Sequence, residues 1–146
     1  MGDGAGWVFE GVASTGAVDR QREKMTAGAL GRMGEAGEVE LRVGHRAAKV
    51  GVVEEWRVEG EVVRVRGRLD GGDEAARVLE RARRGERLGL SVGGKVTAAR
   101  WGWTAECEGP VRLIEDVELT HVAVCERDEA VNPEAWIEVR ETEAEA

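Results

Sequence analysis

Ser91 stands in the stretch Leu88-Gly89-Leu90-Ser91-Val92-Gly93-Gly94, an apolar run with glycine on both sides. The chain has only one other serine, Ser14, and two histidines, His45 and His121. A serine hydroxyl is a poor nucleophile at neutral pH unless a base takes its proton during attack. Histidine suits that task because its ordinary pKa lies near neutrality. The base in turn needs a group that holds its tautomer and stabilises the imidazolium, usually a carboxylate, although a second histidine can accept the same hydrogen bond. Gly89, Gly93 and Gly94 would let a substrate backbone come close, and Gly93-Gly94 could turn N–H groups toward a developing oxyanion. The plainer reading makes Ser91 an ordinary strand hydroxyl and Gly93-Gly94 a bulge or bend. On that reading His45 is a polar turn residue after Gly44, and His121 is a hydrogen-bonded core histidine.

Other chemistries find less support. Cys107 and Cys125 have no Cys/His spacing that would chelate a metal, and both are expected to be buried thiols. His121 and Cys125 lie four residues apart in a strand-like run, which sets them roughly 13 Å apart on one face. Glu115, Asp116 and Glu118 are the nearby carboxylates. Glu118 is an odd number of positions from His121, so a regular pleat turns it to the other face, and Asp116 is no better placed. Asp19-Arg20 reads as a structural pair or turn. Trp7, Trp56, Trp101 and Trp103 read as core or barrel-cap residues, and Trp136 as an anchor at the end of the domain. With no phosphate-binding glycine loop, metal cluster or dinucleotide fingerprint, no metal or cofactor is expected.

The elements that must position these residues are mostly strands. Residues 7–13 form a short apolar run before the turn-like Ser14-Thr15-Gly16. Thr26 caps a short helix carrying Ala27, Ala29, Leu30 and Met33, which ends at Gly34. Residues 38–44 alternate Val39, Leu41 and Val43 against Glu40 and Arg42. Lys49 to Val58, a Glu59-Gly60 turn and a return strand through Val62, Val63, Val65 and Leu69 make a hairpin. Asp73 caps a second helix running to about Arg84, with Ala75, Val78, Leu79 and Ala82 on one face and Gly85 as its stop. Leu88 to Trp103 is the strand of Ser91, and Val111 to Val124 the strand of His121. The fold class is therefore β-rich (α+β): a closed or nearly closed barrel of about six or seven strands with two packed helices.

The chain of 146 residues suits one domain, taken as residues 1–140, followed by the acidic, frayed tail 141–146. A formal charge of −8 and a pI near 5.0 argue against nucleic-acid and anionic-membrane partners, and arginine is interleaved with glutamate throughout. No apolar run reaches the length of about 20 residues that spans a bilayer. The N-terminal "MGDGAGWVFEG" lacks the pattern of a signal peptide. A cytoplasmic protein is expected.

Four segments in order resemble the tailed-phage prohead maturation protease family, itself similar to the herpesvirus assemblin serine proteases. "GVASTGAVDRQREKM" (Gly11 to Met25) is similar to the family's opening strand and its Val-Asp-Arg turn. "ELRVGHRAAKVGVV" (Glu40 to Val53) is similar to an apolar strand ending in a histidine and the strand that returns from it. "ARRGERLGLSVGGKV" (Ala82 to Val96) is similar to the helix end, turn and "LSxG" nucleophile strand. "DVELTHVAVCERDEAVNPEA" (Asp116 to Ala135) is similar to the closing strand and its exit. The resemblance covers nearly the whole domain, about Val8 to Ala135.

It implies Ser91 as nucleophile, His45 as general base and His121 as the residue that orients the base; Gly93 and Gly94 are the nearest candidates for oxyanion support. Many members carry a glutamate at the position matching His121. Here the set is closer to the assemblin order His, Ser, His, and without a fixed negative charge a slow enzyme is expected. The implied substrates are scaffold, the N-terminal segment of the major capsid protein and the enzyme itself. The implied place is the interior of the procapsid in the host cytoplasm, and the assemblin likeness suggests a homodimer formed through a helix. Two rivals are a catalytically inactive relative acting as an internal scaffolding module, and a plain β-barrel binding domain.

Overall fold

The segment Val62–Leu69 shows how this sequence builds a wall. Val63, Val65 and Leu69 turn inward and are buried, while Arg64, Arg66 and Arg68 face solvent. The computed structural model describes residues 7–43, 48–126, 130, 132 and 134–141. In chain order its elements are β1 (Trp7–Thr15), β2 (Glu23–Met25), α1 (Ala27–Met33), β3 (Val39–Val43), β4 (Lys49–Glu59), β5 (Val62–Leu69), α2 (Asp73–Arg83), β6 (Leu88–Gly102), β7 (Val111–Cys125) and β8 (Trp136–Glu141). Hydrogen bonding runs β7-β3-β4-β5-β1-β8-β6, and β6 pairs back onto β7 to close a seven-stranded barrel. The eighth strand, β2, lies outside the ring, parallel to the start of β7. The β-rich barrel with two helices read from the sequence is the fold observed.

Inward residues from all around the ring meet in one core. Phe9, Leu41, Val50, Val53, Leu90 and Val122 are fully buried, and each large apolar side chain so buried stabilises the fold by about 1.5–3 kcal/mol. Helix α2 adds Ala75, Val78 and Leu79 to this core. Helix α1 seats Ala29, Leu30 and Met33 on Val63, Ile114 and Val117. Its cap is the expected one: Thr26 Oγ1 accepts from Ala29 N–H at 3.4 Å and donates to the Ile114 carbonyl at 3.0 Å. Among the described residues, no helix is long and apolar enough to cross a membrane.

Several local expectations need correction. The β4–β5 turn is Gly60-Glu61, one residue later than Glu59-Gly60, because the first central position of this tight turn needs φ near +60°, and Gly60 (φ 62) supplies it. Helix α2 starts from Gly72, whose φ of 111 favours glycine, so Asp73 stands in the first turn and makes no cap hydrogen bond. Its charge still faces the positive end of the helix dipole. Trp101 and Trp103 are exposed, 69% and 75%, where core or cap positions were expected. Trp7 and Trp56 do pack against the core, and Trp56 Nε1–H donates to the Gly37 carbonyl at 2.7 Å. Trp136 opens β8, its ring under the Arg87 guanidinium at 4.6 Å.

Phe9 and Gly67 are direct cross-strand partners, and the phenyl ring lies over the glycine. A Cβ there would stand 2.6 Å from Phe9 Cζ and closer still to the Val52 carbonyl oxygen. Gly67→Ala is therefore expected to lower stability by about 1–3 kcal/mol, as overpacking does, read as a fall in the urea midpoint at unchanged slope.

Candidate functional site

The barrel wall is incomplete beside Ser91. Strand β8 pairs with β1 only as far as Val12 and with β6 only at Leu88 and Gly89. Beyond those points Ala13, Ser14 and Thr15 of β1 and Leu90, Ser91 and Val92 of β6 are not bridged by β8, and together they line a cleft of about 100 Å³. Both serines of the chain line it, Ser14 buried and Ser91 half-buried. Asp19, Gln21 and Asn132 also border it.

Ser91 and His121 occupy neighbouring strands. Ser91 pairs with Ala123, and His121 pairs with Gly93. Leu90 and Val92 pack inward with Val122 and Val124, so Ser91, Gly93 and His121 share the outward face. Such diagonal neighbours have Cα atoms about 7–8 Å apart, within reach of a long or aromatic side chain. His45 lies outside the described residues, in the connection between β3 and β4. Strand β3, which leads to it, flanks β7 on the side away from β6, with Glu40 beside His121 and Val43 beside Val124.

The two glycines have separate steric tasks. A Cβ on Gly93 would overlap Cε1 and Nε2 of His121 outright and stand 3.0 Å from Cδ2, so the imidazole lies directly across this residue. A Cβ on Gly94 would collide with the Glu118 carbonyl and stand 2.9 Å from Leu119 Cα. A bulge does lie at Gly93-Gly94, but its extra residue is on the partner strand: Gly93 pairs with His121 and Gly94 with Leu119, which leaves Thr120 unmatched on β7. Glycine at 94 is thus required by the partner backbone, and glycine at 93 leaves the space that the ring fills.

The same bulge corrects the reading of Glu118. The pleat is not regular between residues 118 and 121, so Glu118, paired with Lys95, stands on the outward face with His121 while Leu119 packs inward. The group that meets His121 Nδ1 is the Thr120 hydroxyl, at 2.9 Å. Asp116 accepts from Thr97 at 2.8 Å, and Glu115 accepts from Arg100 at 3.0 Å. Thr120 escaped the sequence reading because alternation puts adjacent residues on opposite faces, and only the bulge turns this one toward its neighbour.

A loop after β1 forms the lip of the cleft, and Asp19 shapes it. Its carboxylate accepts from the N–H groups of Gln21 (2.8 Å) and Glu23 (3.0 Å), which bears out the turn role of this residue. Burial raises its pKa above the usual aspartate value, against the lowering effect of those two amides. The lip is latched from outside by Glu106, which binds the Lys24 ammonium and accepts from Val18 N–H at 2.9 Å. The Lys24 hydrogen bond first, and the Val18 amide next, hold the Glu106 carboxyl below the usual glutamate range.

Among the described residues, no group of three or more His, Cys, Asp or Glu is placed to hold a metal ion. Cys107 and Cys125 are partly exposed rather than buried as expected. The arrangement puts a hydroxyl and an imidazole on the same outward face, with a cleft beside the hydroxyl. No family model matches the sequence, and no curated protein matches it.

Two outcomes are expected. Gly93→Ala meets only the movable end of a side chain, so it should cost under about 1 kcal/mol while shifting the His121 ring resonances. Gly94→Ala meets backbone and should cost about 1–3 kcal/mol; thermal unfolding and NMR of the pair separate the two cases. Because the folded pKa of Glu106 is depressed, the latch contributes fully above the ordinary glutamate pKa of about 4.3 and is lost as pH falls through the lowered value. Hydrogen exchange should then quicken in residues 16–22 before it does in β6, and Glu106→Gln should produce the same loosening at neutral pH.

Proposed function

We propose that this protein is a serine endopeptidase of phage head assembly, acting inside the procapsid on scaffold, on the N-terminal segment of the major capsid protein and on itself. The observation that carries the reading is the pairing of β6 with β7. It sets Ser91 and His121 on one outward face, with the imidazole laid over a glycine two residues from the serine, and Ser91 also lines the cleft. The four-segment resemblance supplies the chemistry class, and it assigns the base to His45.

In this mechanism His45 takes the Ser91 Oγ proton as the oxygen attacks the scissile carbonyl, then returns it to the leaving amine. His121 accepts a hydrogen bond from His45 and keeps it aimed at the serine. Backbone N–H groups at Gly93 and Gly94 are the donors assigned to the oxyanion. A neutral imidazole in the third place stabilises the imidazolium of the base less than a carboxylate does, so turnover is slow. Slow turnover suffices for an enzyme confined at high local concentration with its substrates.

Co-expression with the cognate capsid and scaffold proteins, wild type beside Ser91→Ala, tests the reading by intact mass. Wild type is expected to trim both partners, and the alanine variant to leave them whole. Partners left whole by a folded, co-assembling wild type would replace the protease with an inactive scaffolding module.

A further inference from the structure

We propose that Thr120 is a positioning residue that fixes His121 as the Nδ1–H tautomer, leaving the Nε2 lone pair over Gly93 as a hydrogen-bond acceptor. The role in catalysis rests on the protease reading above; the tautomer does not.

The Thr120 hydroxyl has one proton and two neighbours. It stands 2.9 Å from His121 Nδ1 and 3.4 Å from the Gly93 carbonyl oxygen. A carbonyl can only accept, whereas a neutral imidazole nitrogen can donate or accept according to its tautomer. Satisfying both contacts therefore sends the hydroxyl proton to Gly93 and requires Nδ1 to donate to the Thr120 oxygen. With the proton on Nδ1, Nε2 carries the lone pair.

The backbone explains how a residue next to His121 can hold it. Thr120 is the unmatched residue of the β6–β7 bulge, and such bulges redirect a side chain that a regular pleat would send away. The other side of the ring is placed by β6, because its Cε1–Nε2 edge fills the space where Gly93 lacks a Cβ. Threonine, ring and glycine thus form one closed unit on the face that carries Ser91. In the proposed mechanism the base must donate to His121, which requires an acceptor nitrogen. The Nδ1–H tautomer provides that acceptor on the edge held across β6. An Nε2–H tautomer would present a donor to a donor, and catalysis is sensitive to the wrong tautomer in a relay of this kind.

The test is long-range 1H–15N NMR of protein labelled in histidine, at a pH of about 9, where an ordinary imidazole is neutral. With two histidines in the chain, His45→Asn assigns the signals. The expected result is a protonated, pyrrole-type Nδ1 and an unprotonated Nε2 on His121. Thr120→Val keeps the β-branched shape, so it should fold but lose this preference, and Thr120→Ser should retain it. A wild-type His121 protonated on Nε2, or a Thr120→Val spectrum identical to wild type, overturns the proposal. In cleavage assays Thr120→Val should lower kcat about tenfold or more with KM within about twofold, and serine should restore it. A fall in KM-governed binding alone would contradict the positioning role. The tautomer is read on the protein alone, so inertness of Ser91 would defeat the protease reading without touching it.

Discussion

The antiparallel pairing of β6 with β7 is the interaction on which the rest depends. It closes the barrel, since β6 otherwise meets the ring only through two residues of β8. It is also the register that brings Ser91 and His121 to one face, and a slip of one residue would turn one of them into the core. Leu90, Val92, Val122 and Val124 prevent that slip, because moving them outward would strip the core of its contacts. The chemistry-bearing residues are therefore positioned by the apolar residues that alternate with them.

Irregularity in that pairing matters as much as regularity. The extra residue at Thr120 bends β7, brings its backbone against Gly94 and turns a hydroxyl toward the neighbouring imidazole. The short β8 has the complementary effect on the other side of β6. It stops at Gly89, which leaves the backbone of Ser91 beside a cleft instead of beside another strand. Two local departures from an ideal barrel thus leave a strand serine beside a cleft and turn a hydroxyl onto the histidine of the adjacent strand.

Much of this was legible in the sequence where apolar residues alternate cleanly. The β4–β5 hairpin and the strands of Ser91 and His121 follow a period of two, and α1 follows its threonine cap and helical spacing. Strand β2 did not declare itself, because Glu23-Lys24-Met25 is short and polar and gains its strand geometry only by lying along β7. Strand β8 was hidden for a related reason: of its two side chains whose burial is described, Ile137 is buried and Trp136 lies partly exposed under an arginine. The exposed pair Trp101 and Trp103 misled in the other direction, since an apolar side chain at an exposed strand end has the same letter as one in a core. At the site, the serine, the histidine and the glycines could be named from their types. Thr120 and Glu118 could not be placed, because one inserted residue reverses the parity on which facing arguments rest.

The most direct test of the central claim is labelling of the purified protein with a fluorophosphonate, followed by intact mass and peptide mapping. A nucleophile activated as proposed should take one adduct on Ser91, and Ser91→Ala and His45→Ala should each abolish it. Ser14 is buried and should remain unmodified. A folded wild-type protein that takes no adduct, or an adduct that persists in Ser91→Ala, would contradict the account.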